Sequence, residues 1–493
     1  MDFKSTRDEN NIVSPSMAIL QGLAADGGLF VPVSFPRLGK DLDALGKMSY
    51  QELAFEIMSA YLDDFSDDDL WACINGAYDE KFDDPGMAPV VRVGNVDHME
   101  LFHGSTIAFK DMALSILPYL MKTSAVMNRS DKDIVILTAT SGDTGKAAMA
   151  GFANVPGTSI IVFYPKNGVS SIQERQMVTQ KGSNTHVVAI EGNFDSAQTK
   201  VKELFNDIKL RKEMDDNGFQ FSSANSMNIG RLLPQVVYYA WAYLREVETG
   251  RIEAGKSLNF CVPTGNFGDI LAGYYAKKMG VPIGKLICAS NDNRVLYDFF
   301  ETGTYDRNRE FVLTISPSMD ILISSNFERM LYHATGNNTE ELKKLMGSLE
   351  SSGSYSVGPE VMVNFSDYAA EYATEEETMD QIRTVFEKTG YVMDPHTAVA
   401  SRSYEKYLEK TGDRTPCVIV STASPYKFPE AVLKALGRLP EDLSDDSLTE
   451  QLNAVSKVAV PKAIQELKDA PVRHDSVVPV DGMKDIVKKI MLK

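Results

Sequence analysis

The chain has 493 residues, of which 43% are hydrophobic and 24% are charged, and its formal net charge is −18. This length predicts roughly two to four domains, and this composition excludes the disordered and fibrous classes. The negative charge argues against a nucleic-acid partner, because acidic clusters such as residues 63–69 and 375–377 repel phosphate backbones.

We expect a cytoplasmic protein that contacts no membrane. No apolar run approaches the roughly 20 residues of a membrane span, and the polar first residues lack the apolar core of a secretory signal. The four cysteines are far apart and show no metal-ligand spacing. The sequence therefore predicts neither a metal site nor a disulfide framework, and it predicts buried packing roles for Cys261, Cys288 and Cys417.

Residues 1–96 are predicted to be mainly helical, since Leu53, Ile57, Met58 and Tyr61 recur at helical spacing. Short apolar runs then alternate with helical patterns. The predicted strands are 133–139, 159–164, 186–190, 258–262, 285–290 and 417–421. The predicted helices are 145–152, 172–180, 195–205, 269–279 and 428–436, together with a long core helix around 232–244.

This alternation predicts an α/β fold with parallel sheets that helices cover on both faces. The expected domains are residues 1–96, the strand and helix region 97–440, and a charged segment 441–493. The charged segment shows no pattern that predicts its structure.

Lys110 is the first candidate for chemistry. Its neighbours Ile107, Ala108 and Phe109 are apolar, and a helix is predicted to begin near Asp111. Burial and the positive end of a helix both favour the neutral amine, which is a nucleophile toward carbonyls and a usable base. The commoner alternative is a surface lysine whose stem packs on Phe109.

In open α/β sheets, ligands bind in the loops that follow the strands. The loop after 133–139 contains Ser141, Gly142, Asp143 and Thr144 and opens a helix, so it is suited to an anion or to an oxygen of a cofactor ring. A nucleotide P-loop is excluded, because it requires Gly at position 140 and Ser or Thr at position 147.

Two further segments are suited to anions. Consecutive amides of Gly265, Asn266, Phe267 and Gly268 would form a phosphate nest, although a plain strand-to-helix turn is the more frequent meaning of such glycines. The second segment, residues 225–231, combines amides, a hydroxyl and an arginine at a predicted helix start. Its alternative is a helix cap with a surface arginine.

Several motifs together resemble the threonine synthase family. HGSTIAFKD at 103–111 is similar to the family's HGPTxAFKD, in which the lysine carries pyridoxal phosphate. DGGLFVP at 26–32, PTGNFG at 263–268 and STASPYKF at 421–428 also match family segments. The chain departs from the family pattern at Ser105, where Pro is usual, and at Ser424, where His is usual.

The resemblance implies a tryptophan-synthase-β-like, fold type II pyridoxal-phosphate enzyme. Its fold would be two open, mainly parallel twisted sheets flanked by helices, with an extra mainly helical N-terminal domain. Lys110 would be catalytic and hold the cofactor, the 265–268 nest would bind its phosphate, and Thr422 would hydrogen-bond the pyridine nitrogen. A neutral hydroxyl there favours an unprotonated nitrogen.

The implied reaction converts O-phospho-L-homoserine and water to L-threonine and phosphate, in a monomer or homodimer. The expected substrate contacts are Ser105, Thr106, Asn225, Ser226, Asn228, Arg231 and His396. For His396 a structural role is the alternative. Two other functions stay open: a threonine or serine dehydratase or phospholyase that releases 2-oxobutyrate, and a silent regulatory protein that retains the fold.

Overall fold

The computed structural model describes residues 1–140, 142–166, 168–169 and 171–492, with the side chains of 194 and 195 left aside. Its strands in chain order are β1 Phe3–Ser5, β2 Ile12–Val13, β3 Phe30–Pro32, β4 Val90–Val93, β5 Val96–Glu100, β6 Asp133–Ala139, β7 Thr158–Pro165, β8 Thr185–Glu191, β9 Phe219–Ser222, β10 Leu258–Pro263, β11 Ile283–Ser290, β12 Thr304–Asp306, β13 Ser354–Ser356, β14 Tyr368–Tyr372, β15 Cys417–Ser421 and β16 Ser476–Pro479.

The helices are α1 Pro15–Gln21, α2 Leu42–Gly46, α3 Tyr50–Tyr61, α4 Asp67–Ala77, α5 Lys110–Leu114, α6 Leu117–Met127, α7 Asp143–Phe152, α8 Ser171–Val178, α9 Phe194–Asn206, α10 Ile208–Asp216, α11 Ile229–Glu248, α12 Gly268–Met279, α13 Val295–Thr302, α14 Phe327–Ala334, α15 Thr339–Ser352, α16 Pro359–Met362, α17 Glu375–Thr389, α18 Pro395–Thr411, α19 Pro429–Ala435, α20 Asp445–Ser456, α21 Lys462–Gln465 and α22 Met483–Met491. Short 3₁₀ turns include Pro317–Met319 and Pro425–Lys427.

Two sheets carry the fold. The larger has the order β14-β11-β10-β15-β5-β4 and is parallel except for the antiparallel β4–β5 pair at one edge. The other has the order β16-β8-β7-β6-β9 and is parallel throughout. Helices pack on these sheets, so strands such as β6 and β15 are apolar runs. The predicted α/β class with parallel sheets is confirmed.

Every strand and helix predicted from the alternation is observed. The strands at 133–139 and 417–421 have the predicted ends, and the others differ only at their termini, as for β11, predicted at 285–290 and observed at Ile283–Ser290. The prediction missed β5 and β14, because charged residues interrupt their apolar pattern. In β5, for example, the buried Asp97 is accommodated by ion pairs with Arg92 and Arg251.

The N-terminal region contains the predicted helix α3, whose buried face includes Leu53, Ile57, Met58 and Tyr61. It also contains a small antiparallel sheet of β1, β2 and β3 that the helical expectation did not include. The DGGLFVP segment ends in β3, which pairs with β1.

The charged C-terminal segment contributes a strand to the fold. β16 pairs in parallel with β8, and Met483 and Val487 of α22 pack with Val188 and Ile190 beneath that sheet. A short, largely exposed edge strand leaves little apolar signal, which is why the sequence did not predict it.

Helix α11 lies at the centre of the molecule, as expected for the apolar positions around 232–244. It contacts α12, α3 and α5, and nearly all of its side chains are buried. All four cysteines are buried, which confirms the packing role expected of three of them. Within the described ranges, no helix has the length and apolar character required to span a membrane.

Candidate active site

Lys110 is the first residue of α5, and the segment before it follows β5. Main-chain hydrogen bonds tie this segment to the loop after β15: Phe109 N–H donates to Thr422 O at 2.8 Å, and Ser424 N–H donates to Ile107 O at 3.1 Å. Because β5 and β15 are parallel neighbours, both loops leave the same edge of the larger sheet. The fold thus brings Lys110 beside Thr422.

The Lys110 amine is buried between the two sheets, and its side chain is 11% exposed. Its Nζ lies 3.3 Å from Ser318 Oγ and 3.8 Å from Asp143 Oδ2. Burial lowers the pKa of Lys110 to about 8; the charges of Lys427 and Arg231 act in the same direction, and Asp143 opposes them. The burial of this amine agrees with the expected desolvation, and it favours the neutral nucleophile.

Asp143 is the first residue of α7, which follows β6, and it faces Lys110 from the side of the other sheet. Its Oδ1 lies 3.2 Å from Lys427 Nζ and accepts a hydrogen bond from Gln173 Nε2 at 3.0 Å, while Oδ2 accepts one from Ser318 Oγ at 3.1 Å. Burial opposes ionisation of Asp143, but Lys427 and Lys110 outweigh it and hold the pKa of this carboxyl below its usual range.

Lys427 was not recognised from the sequence, although it lies inside the 421–428 motif. Its side chain is fully buried, and its Nζ also donates to Thr106 O at 2.9 Å. The contact that makes Lys427 part of the site is with Asp143, which is distant in the sequence, so no local pattern indicated it.

The loop after β10 has the form expected of a phosphate nest. Phe267 adopts a left-handed conformation with φ of 62°, and a Cβ at Gly265 would lie 2.6 Å from Ser318 O, so glycine is required there. Across the ranges that the structure describes, the main-chain N–H groups of 265–268 donate to no residue. These free donors at the start of α12 fit the phosphate of a cofactor.

Asp269, in the first turn of α12, is clamped by two tyrosines. Its Oδ1 accepts hydrogen bonds from the hydroxyls of Tyr238 at 2.6 Å and Tyr239 at 2.8 Å, whereas its buried Oδ2 has no partner in the described part of the chain. Burial raises the pKa of Asp269 to about 6.

We expect Asp269→Asn to stabilise the protein at pH 7.5 and to have little effect at pH 4. The folded state favours the neutral carboxyl, so its stabilising contribution is present below pH 4 and is lost as the pH rises through about 6. The asparagine stays neutral at every pH, and the difference amounts to about 2 to 3 kcal/mol. Thermal unfolding of both proteins at the two pH values measures it. Equal shifts in Tm at both values would contradict the argument.

Arg231 is a third buried cation of the cleft, in addition to Lys110 and Lys427. It is 4% exposed, its Nη1 donates to Ala224 O at 3.1 Å, and its Nε has no partner among the described residues. No described carboxylate forms an ion pair with it. Burial lowers its pKa to about 10. The surface-arginine alternative is therefore wrong, and because a buried unpaired charge is costly, the site is suited to an anion.

The neighbouring Asn228 does cap the helix, as that alternative supposed. Its Oδ1 accepts from Gly230 N at 2.9 Å, and its Nδ2 donates to Ile19 O at 3.0 Å. Asn225 Oδ1 accepts from Thr138 Oγ1 at 3.4 Å, and Ser226 Oγ lies 3.4 Å from Ser325 Oγ. All three residues line the same cleft as Arg231.

The structure brings most of the predicted site residues together. The cleft is lined by Lys110, Asp143, Thr144, Asn225, Ser226, Asn228, Arg231, Gly265, Asn266, Phe267, Gly268, His396 and Thr422. Ser141 lies outside the described residues. Gly142 is buried beside the cleft with φ of 139°, and its N–H donates to Thr140 Oγ1 at 3.0 Å.

Ser105 and Thr106 are not brought into the lining of this cleft. Ser105 is half-buried, and the fully buried Thr106 donates its hydroxyl to Asp111 at 2.7 Å. Ser424, which replaces the family's histidine, uses its Oγ to accept from Tyr426 N at 3.3 Å and so caps the 3₁₀ turn that carries Lys427.

A buried lysine between two open parallel sheets, a helix-start phosphate nest and a strand-end hydroxyl define a pyridoxal-phosphate enzyme of fold type II. The family model for "Pyridoxal-phosphate dependent enzyme" matches residues 89–423. Models for "Threonine synthase N terminus" and "Threonine synthase, C-terminal" match residues 2–78 and 397–487. The chain belongs to the threonine synthase family, and its cofactor is pyridoxal 5′-phosphate.

Individual relatives agree with this assignment. The threonine synthase of Schizosaccharomyces pombe is 37% identical over 468 residues, which cover 88% of this chain and 89% of that protein. Threonine synthase-like 1 of Homo sapiens is 40% identical over 434 residues, which cover 85% of this chain and 58% of that longer protein. The crystal structure of threonine synthase with bound pyridoxal phosphate from Brucella melitensis superposes with a TM-score of 0.89 at 35% identity, covering 100% of both chains.

Proposed function

We propose that the enzyme converts O-phospho-L-homoserine and water to L-threonine and phosphate. The observation that carries this proposal is Arg231, a buried cation that pairs with no carboxylate of the described residues, in a cleft that also contains Lys110. With a net charge of −18, the protein as a whole repels anions, so a phosphorylated substrate needs such a local cation. The relatives named threonine synthase support the same substrate class.

The proposed roles follow from the positions of the side chains. The cofactor would be held by Lys110, Ser141, Gly142, Asp143, Thr144, Gly265, Asn266, Phe267, Gly268 and Thr422, and the substrate by Asn225, Ser226, Asn228 and Arg231. Ser105 and Thr106 would support the Lys110 segment from outside the cleft. His396 would act as a support and not as a substrate contact, because Ser318 N–H and Asp394 occupy its two ring nitrogens. When bound, pyridoxal phosphate supplies an electron sink for negative charge that develops on the substrate carbons.

Lys110 is the proton carrier in this proposal. Its amine would remove the α proton and then a β proton, and it would return a proton at the γ carbon after phosphate has left. Arg231 would hold the substrate phosphate, and the Thr422 hydroxyl would orient the ring nitrogen without protonating it. Buried Lys427 keeps Asp143 ionised beside these groups.

Product analysis tests the proposal. With O-phosphohomoserine we expect threonine and inorganic phosphate in equal amounts. Homoserine should be a poor substrate, because buried donors that it leaves unpaired cost about 1 to 3 kcal/mol each. If 2-oxobutyrate and ammonia dominate, or if serine and threonine react as fast as O-phosphohomoserine, the dehydratase or phospholyase function replaces the synthase.

We further propose a cytoplasmic monomer or homodimer with the division 1–96, 97–440 and 441–493, which rests on sequence composition and pattern. Size-exclusion chromatography with light scattering distinguishes the two oligomeric states, and limited proteolysis near residues 96 and 440 tests the boundaries.

A further inference from the structure

Ser318 connects Lys110 to Asp143. It lies in the 3₁₀ turn Pro317–Met319, in a long irregular segment between β12 and α14. Its Oγ is 3.3 Å from Lys110 Nζ, which donates to it, and it donates to Asp143 Oδ2 at 3.1 Å. The residue lines the cleft and stands 208 positions away from Lys110 in the chain.

The direction of these two hydrogen bonds is determined by charge. A carboxylate only accepts, so the Ser318 hydroxyl proton is committed to Asp143 Oδ2. The other oxygen, Oδ1, is already occupied by Lys427 and Gln173. The lone pairs of Ser318 Oγ therefore face Lys110 as acceptors, and an N–H bond of that amine points at Oγ.

The main chain of Ser318 forms a hydrogen bond on one side and packs closely against a glycine on the other. Its N–H donates to His396 Nε2 at 3.1 Å, and His396 Nδ1 lies 2.7 Å from Asp394 Oδ2. The imidazole thus accepts at Nε2 and donates at Nδ1, which is the neutral tautomer. On the opposite side, the absence of a side chain at Gly265 leaves room for Ser318 O.

We propose that Ser318 is a further catalytic residue, which fixes the direction of the Lys110 amine, and that His396 is a positioning residue, which acts through the main chain of Ser318. With one N–H donating to Ser318 Oγ, the lone pair of the neutral amine has a restricted direction in which to accept a substrate proton. Ser318 itself gains and loses no proton. The inference rests on the proposed role of Lys110 and deepens it.

The chemical consequence is a loss of rate without an equal loss of binding. Displacement of a reacting group by about 1 Å lowers the reaction rate on the order of 100-fold. We therefore expect Ser318→Ala to lower kcat by about 10- to 100-fold, with KM changed by less than about threefold. Ser318→Thr, which keeps the hydroxyl, should recover most of the rate.

His396 offers a matched pair of variants. In His396→Gln, the amide oxygen occupies the place of Nε2 and accepts from Ser318 N–H. In His396→Asn, the shorter amide reaches the place of Nδ1 and faces Asp394, but it cannot reach Ser318. A positioning role predicts that the glutamine variant retains kcat and that the asparagine variant resembles Ser318→Ala, whereas a purely structural role predicts similar losses in both.

A second readout does not require substrate. When pyridoxal phosphate is added to cofactor-free enzyme, the rate at which the absorption band of bound cofactor appears reports attack by the Lys110 amine. We expect this rate to fall about tenfold in Ser318→Ala and His396→Asn and to be retained in Ser318→Thr and His396→Gln. Because only the cofactor is present, this result stands even if product analysis rejects the proposed substrate.

The control is Ser316→Ala, which removes a hydroxyl from the same segment. Ser316 Oγ accepts from Asn291 Nδ2 at 3.0 Å and lies 3.1 Å from Thr314 Oγ1, so its loss perturbs the segment without touching Lys110. The inference is overturned if Ser318→Ala keeps both rates within about twofold of the wild type. It is also overturned if Ser316→Ala lowers these two rates as much as Ser318→Ala does, or if His396→Gln and His396→Asn have the same rates.

Discussion

Replacing Lys110 with alanine is expected to abolish turnover and to remove the absorption band of the internal aldimine, in which the cofactor is covalently linked to the lysine. The amine is buried, its pKa is lowered to about 8, and it faces Ser318 and Asp143 inside the cleft. Because alanine removes both the nucleophile and the proton carrier from that position, we expect a loss of about 10⁴-fold or more in kcat. Fold stability should be retained, because Asp143 keeps its ion pair with Lys427.

The outcome that would contradict this prediction is a cofactor attached elsewhere. Lys146 and Lys427 are the other buried lysines of the region, and burial lowers the pKa of Lys146 to about 8 as well. Borohydride reduction followed by peptide mapping identifies the lysine that carries the cofactor. Lys343→Ala serves as a control, because that lysine is exposed and pairs only with Glu340.

Arg231→Ala is expected to lower kcat/KM for O-phosphohomoserine by about 100- to 1000-fold and to change the affinity for pyridoxal phosphate far less. Loss of one partner of a buried, hydrogen-bonded charge pair costs about 2 to 5 kcal/mol, whereas in our proposal the cofactor phosphate is bound by the main-chain amides of 265–268. Steady-state kinetics and cofactor titration separate the two effects.

A matched control removes an arginine that cannot reach the cleft. Arg438 is exposed beyond α19 and has no side-chain partner among the described residues, so Arg438→Ala changes the net charge equally. It should leave kcat/KM within about twofold. Arg231→Lys keeps a point charge but loses the planar fork, and it should recover only part of the activity. If Arg231→Ala lowered the affinity for pyridoxal phosphate by the same factor as kcat/KM for O-phosphohomoserine, a specific role in binding the substrate phosphate would be refuted.

The parts of the site that the sequence predicted are those carried by one local segment. Gly265 and Phe267 lie where a buried strand ends and a helix begins. Because ligands of open α/β sheets bind in the loops that follow the strands, these two residues could be selected without any knowledge of distant contacts. Lys110 stood out because its neighbours in the chain are apolar, and the structure buries the amine, which lowers its pKa.

Ser318 and Lys427 could not be found in this way. Ser318 follows no strand of the larger sheets, and a serine in an irregular segment has many meanings. A hydroxyl-rich stretch around 316–325 was the only available signal. Lys427 lay inside a recognised motif, but its partner Asp143 belongs to the other sheet.

By itself, the sequence determined the alternation of strands and helices and the parallel sheets, because these depend on apolar periodicity over a few neighbouring residues. It also indicated Lys110 and the 265–268 loop as candidates, and the family resemblance supplied their expected roles toward a cofactor. Only the tertiary structure decided that Arg231 is a buried cation with no carboxylate partner among the described residues, and that Asp97 can lie within a sheet. It alone also showed that Ser318 and Asp143 lie beside the Lys110 amine and that His396 binds the main chain of Ser318. The physical reason is that the ionisation and orientation of a buried polar group depend on which distant segments surround it and on the water they exclude.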